Sequence, residues 1–235
     1  MTPWPAIDPI STALYTEFLG QKDLSAYRDP QNFCTLPADR VFALLQAFPE
    51  VLCYLVEQRV EHNDVKPENI LINDTQVKLI DFGLATRGRR TGPRFSGTAA
   101  YVALDVLDPV DPLLHAGKRD TYAFMPTFLF ALGWKALPRH HPFDLGLLRT
   151  EDDQRDLHQA TVEETVWQCE SLGMFDIHIK QAAAAKAVNR MSPNELLVAA
   201  KKTALGSVRQ AVEMAPNIRA SFARKKVLMK SSVSL

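Results

Sequence analysis

The sequence predicts a mainly α fold of the α+β kind, helical with short β-hairpins, and three observations predict it. Residues 39–58 place Val41, Leu44, Leu45, Phe48, Leu52 and Leu55 at helical spacing. Beyond residue 105 the chain carries the helix-compatible segments TYAFMPTFLFAL, ATVEETVWQCESL, IKQAAAAKAV and NELLVAAKKTAL. Between these regions the β-branched runs NILI and QVKLI flank the turn residues Asn73 and Asp74, which is the pattern of a small hairpin.

Taken in order, Pro3, Pro5 and Pro9 prevent a regular helix or inner strand at the start and imply an extended lead-in. A short strand follows in ALYTEFL. Pro37 and Asp39 are start signals for the first long helix, which is expected to bend at Pro49. Pro126 interrupts TYAFMPTFLFAL, where it kinks a helix or removes one backbone bond. The run Ala182–Ala185 is a good helix former, and no repeat period stands out.

A chain of 235 residues buries one substantial core, so one main domain is expected. Its 27 basic and 27 acidic residues balance, which points away from nucleic acid and membrane partners. The balance is local: residues 144–176 lean acidic, whereas from Lys201 onward eight Lys and Arg face only Glu213. The basic stretch reads as a solvated tail or, alternatively, as a helix covering exposed apolar surface. Cys34, Cys53 and Cys169 lack metal-ligand spacing and read as reduced thiols. With no signal-like or membrane-length apolar run, the reading is an intracellular, soluble protein.

The chemistry concentrates in His62-Asn63-Asp64-Val65-Lys66-Pro67-Glu68-Asn69, followed beyond the hairpin by Asp81-Phe82-Gly83. Singly these are ordinary: Asp64 a turn residue, Lys66 a solvated charge. Together they resemble the catalytic loop and magnesium-binding hairpin of the eukaryotic-type serine/threonine protein kinase family. The resemblance implies a kinase-like C-terminal lobe with its hairpins around the catalytic loop. It implies ATP and Mg2+ as cofactors and a protein substrate. Asp64 would accept the proton of the substrate hydroxyl, Lys66 would steady the transferring phosphate, and Asn69 and Asp81 would hold magnesium. Hard oxygen donors suit that ion. His62 and Gly83 would be structural, and Phe82 would pack beneath the nucleotide site.

The likeness continues. Gly97-Thr98-Ala99-Ala100-Tyr101-Val102-Ala103-Leu104-Asp105 resembles the end of a kinase activation segment, with Thr98 and Asp105 as structural residues. Lys118-Arg119-Asp120 is similar to the start of the family's central helix, whose aspartate braces the catalytic loop. Arg190 resembles the late arginine that pairs with the acid ending that segment, here Asp105; the alternative is a surface cation near a helix start. Lys66-Pro67-Glu68 with Gly97-Thr98 and Tyr101 favours the serine/threonine branch.

Upstream, Glu17-Phe18-Leu19-Gly20 looks like the hinge between kinase lobes, which makes Glu17 and Leu19 nucleotide contacts. Asp23-Leu24 would open the next helix. The expected organisation is residues 1–16 as lead-in and remnant of an N-lobe, 17–198 as the C-lobe and 199–235 as a basic extension. Before Gly20 the sequence has no glycine and before Lys22 no lysine, so the glycine-rich loop and strand lysine have no counterpart. Removing one preorganised charge-stabilising donor commonly costs roughly 3 to 4 kcal/mol. Two functions follow from the likeness. One is a serine/threonine kinase, either truncated or completed by a partner chain that covers the missing N-lobe; the other is a catalytically weak or inactive pseudokinase acting as a protein-binding module. Asn63 stands where many members carry an arginine that reads activation-segment phosphorylation.

Overall fold

The computed structural model describes residues 6–8, 13–15, 22–73, 76–87, 97–104, 117–137 and 151–232. Helices dominate: α1 (Ala38–Glu57), α2 (Lys118–Ala131), α3 (Glu151–Glu170), α4 (Pro193–Lys202), α5 (Leu205–Glu213) and α6 (Ala215–Ser232). The strands are short: β1 (Ala6–Asp8), β2 (Ala13–Tyr15), β3 (Lys22–Asp23), β4 (Val60–Glu61), β5 (Ile70–Ile72), β6 (Val77–Leu79) and β7 (Thr86–Arg87). They form the pairs β1–β2 and β4–β7 and a three-stranded sheet ordered β3-β5-β6, all antiparallel.

Helix α1 begins after Pro37 and buries Val41, Leu44, Leu45, Phe48, Leu52 and Leu55, the stripe read from its spacing. Pro49 sits inside it and is buried. Helix α2 is enclosed on every side, since each residue from Asp120 to Ala131 is buried, and it runs through Pro126. Phe124 of α2 stacks on Phe48 of α1 with ring centroids 4.8 Å apart, so the two helices share one core. Asp23 does not open an α-helix: it caps a single 3-10 turn, Leu24–Ala26, by accepting from Ala26 N at 3.0 Å.

Two further expectations change. IKQAAAAKAV is not an α-helix but a pair of 3-10 turns, Lys180–Ala183 and Ala187–Asn189. The reason lies in Arg190, whose guanidinium takes the carbonyls of Ala184 (2.8 Å) and Ala185 (2.9 Å), while Ala182 and Ala183 are wholly buried. Tertiary demand for those carbonyls and methyl groups overrides helix propensity. The basic stretch after Lys201 is likewise no solvated tail. Helices α5 and α6 place Val208, Ala211, Ala215, Ile218 and Phe222 in the main core. Charges of this stretch pair outward, Lys201 at the end of α4 with Glu50, Arg209 of α5 with Asp39 and Lys226 of α6 with Glu164.

The cysteines are free thiols, and burial pushes that of Cys169 up to about 12. Among the described residues no helix is long and apolar enough to cross a membrane.

Candidate active site

The 62–69 loop leaves β4 and is held from below by one buried carboxylate. Asp120, in the first turn of α2, accepts from His62 N at 2.8 Å and from Asn63 N at 2.9 Å. Burial pushes its carboxyl up to about 6 even though both amides favour the charged form. Asn63 sits at φ +66°, a left-handed conformation that Asn tolerates well. Its side-chain amide reaches Glu61 O (3.0 Å), Leu84 O (3.1 Å) and Thr86 Oγ1 (3.1 Å), fastening the loop to the start of β7. Sequence reasoning assigned no such role to Asn63. Facing it, Gly97 has φ +103° and a Cβ there would lie 2.1 Å from Asn63 O, so no other residue fits.

Asp64 is the most fully bonded group of the site. Its Oδ1 accepts from Thr98 N (2.9 Å) and Thr98 Oγ1 (2.8 Å), and its Oδ2 from Lys66 Nζ (2.8 Å) and Asn69 Nδ2 (3.1 Å). Lys66 Nζ also donates to Thr98 Oγ1 at 2.9 Å. Burial by itself pushes the Asp64 carboxyl up, but the bonds from Lys66 and Thr98 outweigh it and hold the group below its ordinary value. An ionised carboxylate at neutral pH is therefore built in.

The β5–β6 hairpin brings the other two residues to one end. Ile70 faces Leu79, and Ile80 N donates to Asn69 O at 2.9 Å, which sets Asp81 just beyond the paired strands beside Asn69. Asn73 turns the hairpin by accepting from Gln76 N at 2.8 Å. Asn69 Nδ2 also donates to Asp64 O at 2.8 Å. Both amide hydrogens are thus spent on Asp64, and Oδ1 is the end left for a ligand. Asp81 adopts φ +61° and accepts from Gly83 N at 3.3 Å. His62 is buried and faces Ile80 O through Nε2 at 3.0 Å, while Nδ1 accepts from Asp64 N at 3.3 Å. These partners put the hydrogen on Nε2, and burial lowers the ring's pKa, favouring the neutral form.

Phe82 leans edge-on against His62 at 4.8 Å and stays 48% exposed, and neighbouring Leu84 is 45% exposed. No described element covers that side of the loop. Arg190 is not a surface cation: it is 1% exposed, bonded to Ala184 O, Ala185 O and Lys118 O, with its guanidinium 5.2 Å from the Tyr122 ring centre. Its expected partner Asp105, and the hinge residues Glu17 and Leu19, lie outside the described residues. Among the described residues no cluster of three or more His, Cys, Asp or Glu could hold a metal ion. The donor set at Asn69 and Asp81 is instead one amide and one carboxylate, hard oxygen donors that fit magnesium when phosphate and water complete the shell.

A mostly helical chain with short strands around the 62–81 loop and hairpin has a protein-kinase-like fold. The model of the protein kinase domain matches residues 7–171, well over half of the sequence, and the chain belongs to the eukaryotic-type protein kinase family. The serine/threonine-protein kinase cds1 of Schizosaccharomyces pombe is 44% identical over 81 residues, covering 33% of this chain and 18% of that protein. The dual specificity mitogen-activated protein kinase kinase 7 of Homo sapiens is 44% identical over 70 residues, 28% of this chain and 17% of that one. The serine/threonine-protein kinase PknG of Mycobacterium leprae is 32% identical over 100 residues, 43% of this chain and 13% of that one. The matched stretches span less than a fifth of the length of these relatives.

Proposed function

We propose that this chain carries the acceptor and metal side of a serine/threonine protein kinase. The observation that supports this most directly is Asp64, ionised and held by Lys66, Asn69 and Thr98 at hydrogen-bond distance. In the proposed reaction the substrate hydroxyl gives its proton to Asp64, its oxygen bonds to the γ-phosphorus of ATP, and the bond to the β-phosphate oxygen breaks to leave ADP. Lys66 neutralises charge on the moving phosphoryl group. Asn69 and Asp81 would hold magnesium, which supplies charge neutralisation on the phosphate oxygens when bound. Glu17 and Leu19 would contact the nucleotide base.

The exposed Phe82 and Leu84 favour a second element of this reading. A nucleotide-gripping segment or partner chain packs on that face and supplies the glycine-rich loop and lysine without counterpart in this sequence. Residues 17–198 form the lobe in this scheme, with the basic helices from 199 onward as its integral cover, and the protein works inside the cell. The same exposed face also supports the rival reading, a pseudokinase that binds a partner without turnover.

The deciding measurement is magnesium-dependent phosphorylation of a Ser/Thr peptide library by the purified chain, beside Asp64→Asn and Asp81→Ala. Transfer lost in both variants supports the kinase. Equal signals from all three proteins overturn it, and tight partner capture without transfer supports the pseudokinase.

A further inference from the structure

The segment that touches Asp64 is pinned at its far end by a residue outside the motifs. Thr98 bonds Asp64 through both its amide and its hydroxyl, and the chain then makes one 3-10 turn, Ala99–Tyr101. Tyr101 N donates to Thr98 O at 2.8 Å and Val102 N to Ala99 O at 3.3 Å. At the end of that turn Val102 O lies 2.8 Å from Nε2 of His158 on α3. A carbonyl only accepts, so Nε2 carries the hydrogen. Both residues are sequestered, His158 at 2% exposure and Val102 at 7%. Next to them Ala103 packs with Tyr122 of α2 and Val162 of α3 in a small separate cluster.

His158 belongs to the buried stripe of α3, in phase with Val162, Thr165 and Cys169. A hydrocarbon there would fill the volume but leave Val102 O without a donor in a place water does not reach. Of the described hydrogen bonds that tie the turn to the rest of the fold, those of Thr98 would then remain, with only apolar packing of Ala100, Tyr101 and Ala103 to hold its far end, and a single turn transmits a displacement at Val102 directly to Thr98.

We propose that His158 is a positioning residue: its bond to Val102 O fixes the 98–102 turn and, through Thr98, the placement of Asp64 and Lys66 toward the acceptor hydroxyl. Its role in phosphoryl transfer rests on the kinase reading above; its role as a latch does not.

Hydrogen exchange by mass spectrometry tests the latch on the full chain, comparing wild type with His158→Leu and His158→Gln. Peptides spanning 97–104 report on the amides of Thr98, Tyr101 and Val102, and peptides from α2 report on global opening. His158→Leu should speed exchange in 97–104 by tenfold or more with α2 unchanged, and His158→Gln, which keeps an N–H donor, should restore most of the protection. Exchange in 97–104 within twofold of wild type, or an equal acceleration in α2, overturns the proposal. In the same samples, peptide phosphorylation by His158→Leu should show a raised KM for the acceptor peptide and an unchanged KM for ATP. If wild type transfers no more phosphate than Asp64→Asn, the kinase reading fails while the exchange data still decide the latch.

Discussion

Thr98 and Asp64 are joined twice, by the Thr98 amide at 2.9 Å and its hydroxyl at 2.8 Å, both to the same carboxylate oxygen. The hydroxyl simultaneously accepts from Lys66 at 2.9 Å, so one methine-borne oxygen orders both charged groups of the site.

Thr98→Val keeps the shape and the amide bond but deletes that oxygen. Bonds to charged groups are worth about 1.5 to 3 kcal/mol each, and the expected loss of stability is about 2 kcal/mol because Lys66 keeps Asp64 as a partner. Transfer activity should fall by roughly tenfold to a hundredfold through misplacement of Asp64. Without the hydroxyl the Asp64 carboxyl should also titrate higher, whereas Thr98→Ser should restore stability, rate and titration together. Urea unfolding and the pH profile of the rate check these outcomes.

Asp120 makes the acid limb of stability unusual. Its ordinary value of 3.8 is raised to about 6 in the folded chain, so the folded state holds a proton that the unfolded state has released across that interval. Stability from this group is fully present below about pH 3.8 and is lost as pH rises through about 6, by about 3 kcal/mol in all. Asp64, held below its ordinary value, has the opposite sign and loses its contribution as pH falls. The Asp120 contribution is isolated by comparison with Asp120→Asn, which cannot titrate. The stability of wild type relative to that variant should decline steadily from pH 4 to pH 6 in urea titrations; a constant difference would contradict the raised value.

Arg190 leaves a different mark. Buried itself, its guanidinium donates to three half-buried carbonyls, those of Ala184, Ala185 and Lys118, at 2.8, 2.9 and 3.1 Å. Arg190→Met fills similar volume but removes their donor; water reaches these half-buried groups in part, so a loss of about 2 kcal/mol is expected. Arg190→Lys should recover only part of it, because a compact ammonium cannot span a fork of three acceptors. Denaturation midpoints of the three proteins decide this.

The helix 39–58, the β5–β6 hairpin and the loop from His62 to Asn69 were readable because each is local: the period, the turn residues and the motif lie within a few residues of one another. What stayed hidden depends on distant partners. Nothing near 180–189 signals that Arg190 claims two carbonyls of an alanine-rich run, and nothing near Asn63 signals Leu84 and Thr86. His158 was detectable in principle, since it stands in phase with Val162 and Cys169, and a polar ring on a buried stripe requires a bonding partner. The half-exposure of Phe82 has a related cause: its motif specifies the residue, but its burial is set by whatever packs on the far side.

The basic end of the chain shows how charge conceals a stripe. Counting Lys and Arg points to solvent, yet Val208, Ala211, Ala215, Ile218 and Phe222 recur at alternating steps of three and four, continuing across the break between α5 and α6. Phe222 is edge-on to Trp167 at 4.9 Å and to Trp134 at 6.1 Å, and Trp134 donates its indole N–H to Ala211 O at 2.9 Å. Lys225 sits 4.4 Å above the Trp167 ring, so even this charge covers apolar surface. Phe222→Ala should therefore lower stability by about 3 kcal/mol, near the low end for an aromatic truncation because the ring is not wholly enclosed. Arg224→Ser, on the exposed side of α6, should change it by less than about 0.5 kcal/mol. The emission of Trp134 and Trp167 should shift to the red in Phe222→Ala alone, and an unchanged spectrum with unchanged stability would mean that α6 is not part of the folded core.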